Sequence, residues 1–264
     1  MPEGDTVWLV ARNLDRALGG HRIVRGDLRV PQLATADLAG REVLEVAPRG
    51  KHLLTRLEGG LTLHSHLRLD GMWHLFHAGD PWTGGPAHDV RVVLSTSDWD
   101  AVGYRVHDLA LVATDREDEV VGHLGPDLLD LDFDRGEALR RLRADPAREI
   151  GVALLDQRCL AGIGNVYMAE TLFARRVWPW TPVGDVDDRT LGSLVDTARR
   201  LLDANKAHAS QATTGDPRRG YEHWVYGRAG RPCRRCGTRI EQAAQGDPPY
   251  DRTTFWCPGC QPGP

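Results

Sequence analysis

Two cysteine pairs near the C-terminus constrain this chain more than any other feature of its sequence. Cys233 and Cys236 form one Cys-x-x-Cys pair, and Cys257 and Cys260 form a second pair after twenty intervening residues. Four thiolates can fill a tetrahedral shell around Zn²⁺ and leave no open coordination position. The spacing predicts a C-terminal zinc ribbon with one structural Zn²⁺, and the alternatives are a redox pair or unrelated cysteines.

The remaining cysteine and the first residues bear on the compartment. Cys159 stands alone, and an odd total of five cysteines argues against a disulfide framework. The start of the sequence, Met-Pro-Glu-Gly-Asp, lacks the basic and apolar regions of a secretion signal. No apolar run approaches the ~20 residues of a membrane span. We therefore expect a cytoplasmic protein with no membrane partner.

Charge is distributed unevenly along the 264 residues, whose formal net charge is −4. Residues 98–137 hold twelve acidic residues and three arginines, whereas residues 205–264 hold nine basic residues and five acidic ones. A basic C-terminal region beside an acidic segment is compatible with an anionic partner such as nucleic acid. Ordinary surface charge is the alternative explanation.

Hydrophobic periodicity divides the chain into a strand-rich half and a helical half. An amphipathic helix is predicted over 5–18, with Asp5 as its cap. Short strands separated by Gly and Pro turns follow and favour an antiparallel sandwich or barrel. The predicted strands cover residues 21–30, 42–47, 51–57, 61–67, 72–77, 90–95, 101–106 and 108–113. The predicted helices of the second half cover residues 134–144, 147–157, 165–175 and 187–204.

These patterns predict an α+β protein of several domains. Residues 1–113 form the strand-rich domain, the acidic segment 114–133 is a linker, and helices occupy 134–230. Within the last range, residues 205–230 are rich in Gly, Thr, Arg and His and indicate a mobile loop. Residues 231–264 form the ribbon, with a hairpin expected between 238–240 and 253–256.

A glycine-rich turn precedes the helix predicted at residue 165. Gly162 and Gly164 flank an isoleucine, and Asn165 follows directly. Glycine lets the backbone approach a ligand closely, and the helix N-terminus offers unpaired N–H groups to a phosphate. A tight interhelical turn with Asn165 as the N-cap explains the same residues equally well.

Two further features, the N-terminal dipeptide and an isolated lysine, indicate a function only in combination with the motifs described above. Pro2 would carry a secondary amine if Met1 were removed, and such an amine can attack an aldehyde-like sugar carbon and form an iminium. Glu3 beside it can act as a general acid or base. Lys51 and Lys206 are the only lysines among 33 basic residues, and Lys51 lies in an Arg-Gly-Lys turn.

The four features together resemble the bacterial formamidopyrimidine-DNA glycosylase / endonuclease VIII family, closer to the endonuclease VIII branch. They are Pro2-Glu3-Gly4, Arg49-Gly50-Lys51, Gly162-Ile-Gly164-Asn165 and the paired cysteines. The resemblance spans the full length in the family's order. It implies an N-terminal β-sandwich with flanking helices, a helix–two-turn–helix domain and a C-terminal zinc ribbon. It also implies one structural zinc and no catalytic metal.

Matching positions carry the roles that the resemblance implies. Pro2 would be the Schiff-base nucleophile, and Glu3 would donate the proton that helps to open the sugar. Lys51 would support cleavage of the glycosidic bond and the eliminations that follow. Asn165 would hold a phosphate beside the lesion, and Arg252 would grip DNA and assist δ-elimination. Cys233, Cys236, Cys257 and Cys260 match the family's zinc ligands.

The turn at residues 68–70 is where family members insert a wedge into the gap left by the flipped base. Leu69 fits the wedge, and Arg68 can pair with the orphaned base. Asp70 is unexpected so near DNA, and the alternative interpretation of Leu69 is a buried strand residue. Asp5 and Thr6 replace the Pro-Glu found in many members, so the carboxylate that those members carry at position 6 is missing here. A lesion-capping segment is expected within 205–230.

The sequence thus predicts a monomeric enzyme that acts on damaged double-stranded DNA in base excision repair. It would excise oxidised bases, preferably pyrimidines, and nick the strand by β/δ-elimination, in the cytoplasm at the nucleoid. The alternatives are an oxidised-purine glycosylase of the same family and a non-catalytic DNA-binding protein that uses the ribbon.

Overall fold

The computed structural model describes residues 2–249 and 251–263. They divide after His123 into two compact units, one ending there and one starting at Leu124. Among the described residues, no helix is long and apolar enough to cross a membrane.

The first unit begins with an amphipathic helix, α1 (Gly4–Leu18). Val7, Leu14 and Leu18 recur at helical spacing and lie in the core. The predicted helix is confirmed, but Asp5 is not its cap. The helix starts one residue earlier, so Glu3 occupies the N-cap position and Asp5 lies buried in the first turn.

Eight antiparallel strands form the rest of this unit, in two four-stranded sheets. Their bounds are β1 (Arg25–Leu28), β2 (Val43–Arg49), β3 (His52–Leu57), β4 (Leu61–His66), β5 (Met72–His77), β6 (Val90–Ser95), β7 (Trp99–Tyr104) and β8 (Asp108–Ala113). One sheet has the order β1-β6-β7-β5 and the other β2-β3-β4-β8. All eight predicted strands are present, three of them with the predicted bounds and five with shifted ends.

A single apolar core joins the two sheets and α1. Leu53 and Leu63 enter it from one sheet, Leu94 and Ala101 from the other, and Leu14 from the helix. Each is at least 98% buried, so both sheets and the helix direct apolar side chains into this interior. The predicted sandwich is confirmed. A short helix, α2 (Asp118–Val121), lies in the acidic segment that was predicted as a linker.

The second unit contains the helices α3 (Arg135–Arg143), α4 (Ile150–Leu155), α5 (Asn165–Arg175) and α6 (Asp188–Asn205). Asp134 and Asp187 cap α3 and α6 by accepting hydrogen bonds from N–H groups three residues later. Every residue of α5 from Asn165 to Phe173 is buried, so this helix is the centre of the unit. The four helices predicted here are confirmed.

The ribbon contains one hairpin, β9 (Glu241–Gln245) and β10 (Arg252–Trp256). The prediction of a first strand at 238–240 is wrong, because those residues form backbone hydrogen bonds with the first cysteine knuckle instead. Cys233 N–H donates to the Thr238 carbonyl over 2.8 Å, and Ile240 N–H donates to the Arg231 carbonyl over 2.9 Å. Residues 206–230, all of them described, contain no helix or strand.

Candidate active site

The N-terminal dipeptide lies at the positive end of α1. Glu3 is fully buried at the N-cap, and its carbonyl accepts the first helical hydrogen bond from Val7 N–H over 3.0 Å. Pro2 precedes it and is half-buried. The positive end of the helix dipole would disfavour a protonated amine at Pro2 if Met1 were removed. The local field therefore suits a nucleophilic amine beside an acidic side chain.

Two contacts fix how α1 lies on the sheet. Asp15 near the end of the helix accepts a hydrogen bond from Val46 N–H of β2 over 2.8 Å. Just beyond the helix, Gly20 N–H donates to the Val43 carbonyl at the start of the same strand over 2.8 Å. The end of the helix thus meets the start of the strand, and the two elements run in opposite directions.

This pairing brings the N-terminus and Lys51 to the same end of the unit. Glu3 precedes Asp15 by twelve residues, which is about 18 Å of helix at about 1.5 Å per residue. Lys51 follows Val46 by five residues, or about 17 Å of strand at about 3.3 Å per residue. The helix start and the lysine turn therefore lie toward the same end of the unit, as the proposed roles of Pro2, Glu3 and Lys51 require.

Lys51 is held by a two-residue hairpin turn. Arg49 pairs with His52 in the β2–β3 register, so Gly50 and Lys51 alone form the loop. Gly50 has φ +59°, a left-handed conformation that suits glycine in the first position of such a turn. Because hydrogen-bonded strands leave both ends of the turn, the half-buried lysine is directed by rigid backbone.

Three histidines from β3 and β4 share the face next to this turn. His52 lies directly opposite His66, and His52 Nδ1 is 2.7 Å from His64 Nε2. Burial, aided by the neighbouring imidazoles and Lys51, lowers the pKa of His52 to about 3. Burial likewise lowers the pKa of His66 to about 4 and that of His64 below its ordinary value. Near pH 7 these neutral rings add no positive charge beside Lys51.

The turn between β4 and β5 presents Leu69 to solvent. The side chain is 70% exposed, so the alternative of a buried strand residue is wrong. Arg68 has φ +53° and forms an ion pair with Asp108 over 3.0 Å. Asp70, unexpected in the sequence, pairs with Arg105 over 3.1 Å. The ion pair with Arg105 compensates the negative charge of Asp70, which the sequence made unexpected beside DNA.

Asn165 is the first residue of α5, and its N-cap is Gly164, so the alternative in which Asn165 is the N-cap is wrong. The asparagine is 93% buried. Its Nδ2 donates to the Thr253 carbonyl over 2.8 Å, which ties the helix start to the ribbon beside Arg252. An amide nitrogen carries two hydrogens, and this contact uses one of them. Gly162, with φ +96°, makes the preceding turn.

The four paired cysteines converge in the ribbon. Their sulfur atoms all lie within 4.8 Å of one another. The Sγ atoms of Cys233 and Cys260 are 3.9 Å apart, and those of Cys236 and Cys257 are 3.4 Å apart. Four thiolates about 2.3 Å from a tetrahedral Zn²⁺ would be about 3.8 Å apart, so the set fits a closed structural metal shell.

Arg252 occupies the first position of β10 and is exposed. It pairs with Gln245 of β9, and Gln245 is itself anchored. The Gln245 amide donates to Glu149 over 2.9 Å and to the Pro179 carbonyl over 2.8 Å. The arginine thus extends from a hairpin that is fastened to the helical part of its own unit.

Sequence reasoning missed one buried acid. Glu170 of α5 is 1% exposed, and its carboxylate accepts hydrogen bonds from the segment 213–226. A signal was present, because Glu170 is the one charged residue between Asn165 and Phe173, and a charge in so apolar a stretch requires a buried partner. The three histidines were missed as well, since their shared face is visible only in the strand register.

Known proteins are similar to this chain over both of its units. Residues 1–117 match the formamidopyrimidine-DNA glycosylase N-terminal domain, and residues 124–215 match the formamidopyrimidine-DNA glycosylase H2TH domain. The chain is 56% identical to a probable endonuclease 8 2 of Streptomyces coelicolor, covering 100% of this chain and 95% of that protein.

Two further relatives are similar over nearly their full lengths. The DNA-(apurinic or apyrimidinic site) lyase Nei2 of Mycolicibacterium smegmatis is 44% identical, with 99% of each chain covered. The Lactococcus lactis Fpg, solved in complex with DNA containing an abasic site, superposes with a TM-score of 0.83 at 26% identity. That match covers 99% of this chain and 100% of the other.

Proposed function

Because the chain belongs to the formamidopyrimidine-DNA glycosylase family, we propose that it removes oxidised pyrimidines from duplex DNA through a Schiff base on Pro2. The coarser activity follows from membership over the whole length. The protein is a DNA glycosylase and abasic-site lyase of base excision repair, and its partner is damaged DNA. The roles of individual residues and the preference among lesions belong to the proposal.

The Pro2 amine starts the reaction at C1′ of the damaged nucleotide. A bond forms between the proline nitrogen and C1′, the glycosidic bond breaks, and its electron pair leaves with the base, which takes up a proton. The amine loses its single proton. Glu3 protonates the ring oxygen, the sugar opens, and the C1′–nitrogen linkage becomes an iminium.

The iminium then serves as an electron sink. Loss of a C2′ proton breaks the bond from C3′ to its phosphate oxygen, which is β-elimination. A second proton loss expels the 5′ phosphate, and water releases the sugar remnant from Pro2. In our proposal Lys51 assists glycosidic cleavage and these eliminations, and Arg252 assists the second. Removal of Met1 is a precondition, since an amide nitrogen cannot form the iminium.

One observation carries the catalytic assignment. The contacts between α1 and β2 direct the start of the helix and the Gly50–Lys51 turn to the same end of one rigid unit. A fully buried Glu3 beside the Pro2 amine at a helix N-terminus supplies an acid and a nucleophile in adjacent residues. A protein that only binds DNA would need neither this amine nor this buried acid.

Binding roles follow the same proposal. Asn165 and Arg252 hold phosphates near the lesion, and they are linked through Thr253. Leu69 enters the gap left by the extruded base, and Arg68 faces the orphaned partner. The cysteine cluster holds a structural Zn²⁺, which keeps the hairpin of Arg252 folded and takes no part in the chemistry.

The preference for oxidised pyrimidines is supported by the probable endonuclease 8 2 of Streptomyces coelicolor, which is 56% identical to this chain, against 34% for the formamidopyrimidine-DNA glycosylase of Acidothermus cellulolyticus. Oxidised purines are the alternative. We further propose that the enzyme acts as a monomer, at the nucleoid in the bacterial cytoplasm, where its DNA substrate lies.

A panel of duplexes tests this function. Three duplexes are compared: one with an oxidised pyrimidine, one with an oxidised purine and one with an abasic site. Borohydride is added to each to trap a covalent adduct. We expect trapping on all three, with the fastest excision of the oxidised pyrimidine. Faster excision of the purine would overturn the preference, and binding without any adduct would leave a non-catalytic DNA-binding protein.

A further inference from the structure

The turn between β4 and β5, residues 67–71, is fixed in the protein alone, and we call it the Leu69 turn. Leu67 is 2% exposed, and its carbonyl closes the turn by accepting a hydrogen bond from the N–H four residues later over 2.9 Å. Arg68 has a left-handed backbone, with φ +53°, and its N–H donates to His66 Nδ1 over 3.0 Å. A residue other than glycine keeps this conformation only where its surroundings hold it. The side chains of the turn therefore leave from a defined backbone.

The loop between β7 and β8 braces the Leu69 turn through Arg105. The Arg105 Nε lies 3.1 Å from a carboxylate oxygen of Asp70 and donates to the Asp70 carbonyl over 3.2 Å. The same guanidinium forms an ion pair with Asp89 over 2.8 Å, and Arg105 N–H donates to the Asp89 carbonyl over 2.7 Å. Asp70, the acid nearest to Arg68 in the sequence, is thus paired with a different arginine.

Arg68 pairs instead with Asp108, the first residue of β8. One of its guanidinium nitrogens lies 3.0 Å from an Asp108 carboxylate oxygen. Asp108 lies directly opposite His66 in the β4–β8 register, so the strand pairing holds the carboxylate at the base of the turn. The two side chains are 68% and 37% exposed, and water therefore screens the ion pair in the free protein. DNA that covers the turn removes this water and strengthens the attraction.

Two different bases are left unpaired when an oxidised pyrimidine is extruded. An oxidised cytosine leaves guanine, and an oxidised thymine leaves adenine. A guanidinium has only N–H donors, and it can bond guanine at O6 and N7, whereas adenine has an amino donor in place of O6. An arginine free to contact the orphaned base would therefore favour guanine, roughly ten-fold or more.

We propose that Asp108 is a positioning residue that keeps Arg68 from selecting the orphaned base, so that guanine and adenine are both accepted. Contact with guanine gains only what exceeds the bond to Asp108, and opposite adenine Arg68 stays on the carboxylate. The difference between the two bases is thus smaller than a free arginine would give. Leu69 fills the gap in both cases. The inference rests on the proposed function, because removal of oxidised pyrimidines exposes both purines.

The test places one oxidised pyrimidine opposite guanine or adenine and measures single-turnover excision by the full-length protein. Affinity for duplexes with a reduced abasic site opposite either base is a second readout that needs no excision. Wild type should favour guanine by at most about three-fold in both readouts. Asp108→Asn keeps the size of the side chain and removes its charge, so the preference for guanine should rise to roughly ten-fold.

Two further variants show whether the effect passes through Arg68. Arg68→Ala should keep the wild-type ratio of guanine to adenine, and adding Arg68→Ala to Asp108→Asn should abolish the new preference. A structural role of Asp108 would lower activity with both partners and leave their ratio unchanged. Asp98→Asn is the control, because Asp98 is an exposed acid that precedes β7, at the opposite end of that strand from Arg105.

The ratio of the two partner bases decides the inference. A ten-fold preference for guanine in wild type would show that Arg68 selects the base despite Asp108. An unchanged ratio in Asp108→Asn, or a preference that persists in the double variant, would also overturn the inference. If Asp108→Asn does not fold, Arg68→Ala decides: an unchanged ratio supports the inference and a lowered one overturns it. A wild-type protein that binds both duplexes without forming an adduct on abasic-site DNA would instead overturn the proposed function.

Discussion

Two loops of this molecule are held in place by different means. The Gly50–Lys51 turn is fixed by its immediate neighbours, because β2 and β3 are hydrogen-bonded up to its two ends. The loop of residues 213–226 is fixed by a single carboxylate, Glu170, which lies 43 to 56 residues away in sequence from its partners. The first device is local and backbone-based, and the second is a buried polar contact between distant segments.

This difference predicts how each loop fails. Substituting the side chain of Lys51 should remove chemistry and leave the backbone of its turn in place. Substituting Glu170 should release backbone and leave the chemical groups in place. Catalysis and loop order are therefore expected to be separable by single substitutions in one chain.

Lys51→Ala should give the largest effect among the variants that sharpen this comparison. Loss of a group that moves protons in the reaction costs roughly 10²–10⁴-fold, and we expect excision to fall within that range. DNA affinity should stay near wild type. Lys206→Ala removes the other lysine, which pairs with Asp203 on the surface, and serves as the control. Near-normal excision in Lys51→Ala would contradict the assigned role.

Cys257→Ser should have the second-largest effect. We expect this variant to lose the metal and to bind DNA more weakly. Three thiolates cannot close the shell, and metal binding supplies folding energy to the ribbon that carries Arg252. Metal content by atomic spectroscopy and affinity for an abasic duplex measure both effects. Cys159→Ser is the matched control, because Cys159 lies outside the cluster. One zinc per chain with normal affinity in Cys257→Ser would refute the site.

Arg252→Ala should produce a smaller change that salt reveals. One lost phosphate contact lowers the slope of log affinity against log salt by about one unit. Arg116→Ala in the acidic segment should leave the slope unchanged, since Arg116 pairs with Glu119. An unchanged slope in Arg252→Ala would place this arginine away from the DNA backbone.

Acid should modestly lower the stability of the unit that carries the Lys51 turn. Burial lowers the pKa of His52 to about 3 and that of His66 to about 4, so the unfolded chain binds protons first as pH falls below 6.5. The free energy of unfolding should therefore decrease between pH 6.5 and pH 4, by at most about 1.4 kcal/mol per pH unit for each histidine.

His52→Gln removes one of the two proton-binding histidines, so the free energy of unfolding should fall less steeply as the pH decreases. Thermal unfolding measured from pH 7 to pH 4 gives the comparison with wild type. His88→Gln alters a histidine whose side chain is 83% exposed and should leave the pH dependence unchanged. A steeper loss of stability in His52→Gln would contradict the sign of this linkage.

Most of the fold could be predicted from the sequence because it follows from local patterns. Apolar periodicity located α1 and the strands, and the spacing of four cysteines located the metal cluster. The helix start at Gly4 was missed, because Asp5 is a good capping residue by type, yet it lies buried in the first turn.

The parts that sequence did not reveal depend on contacts between distant residues. The strand at 238–240 was misplaced because those residues pair with the first cysteine knuckle, which only the folded ribbon shows. The partners of Glu170 lie 43 to 56 residues further along the chain. The exposure of Leu69 depends likewise on how its turn leaves the sheet. Local pattern alone carries no information about such pairs.

The central claim is that the Pro2 nitrogen is the nucleophile, and covalent trapping tests it most directly. One preparation has Met1 removed, and the other carries a tag fused ahead of Pro2, so that its nitrogen is an amide. Both are incubated with abasic-site DNA and borohydride, and the adduct is mapped by peptide mass spectrometry. We predict an adduct on Pro2 in the first preparation and none in the second, with duplex binding retained in both. A borohydride-stable adduct in the tagged protein would contradict the account and make Lys51 the leading nucleophile.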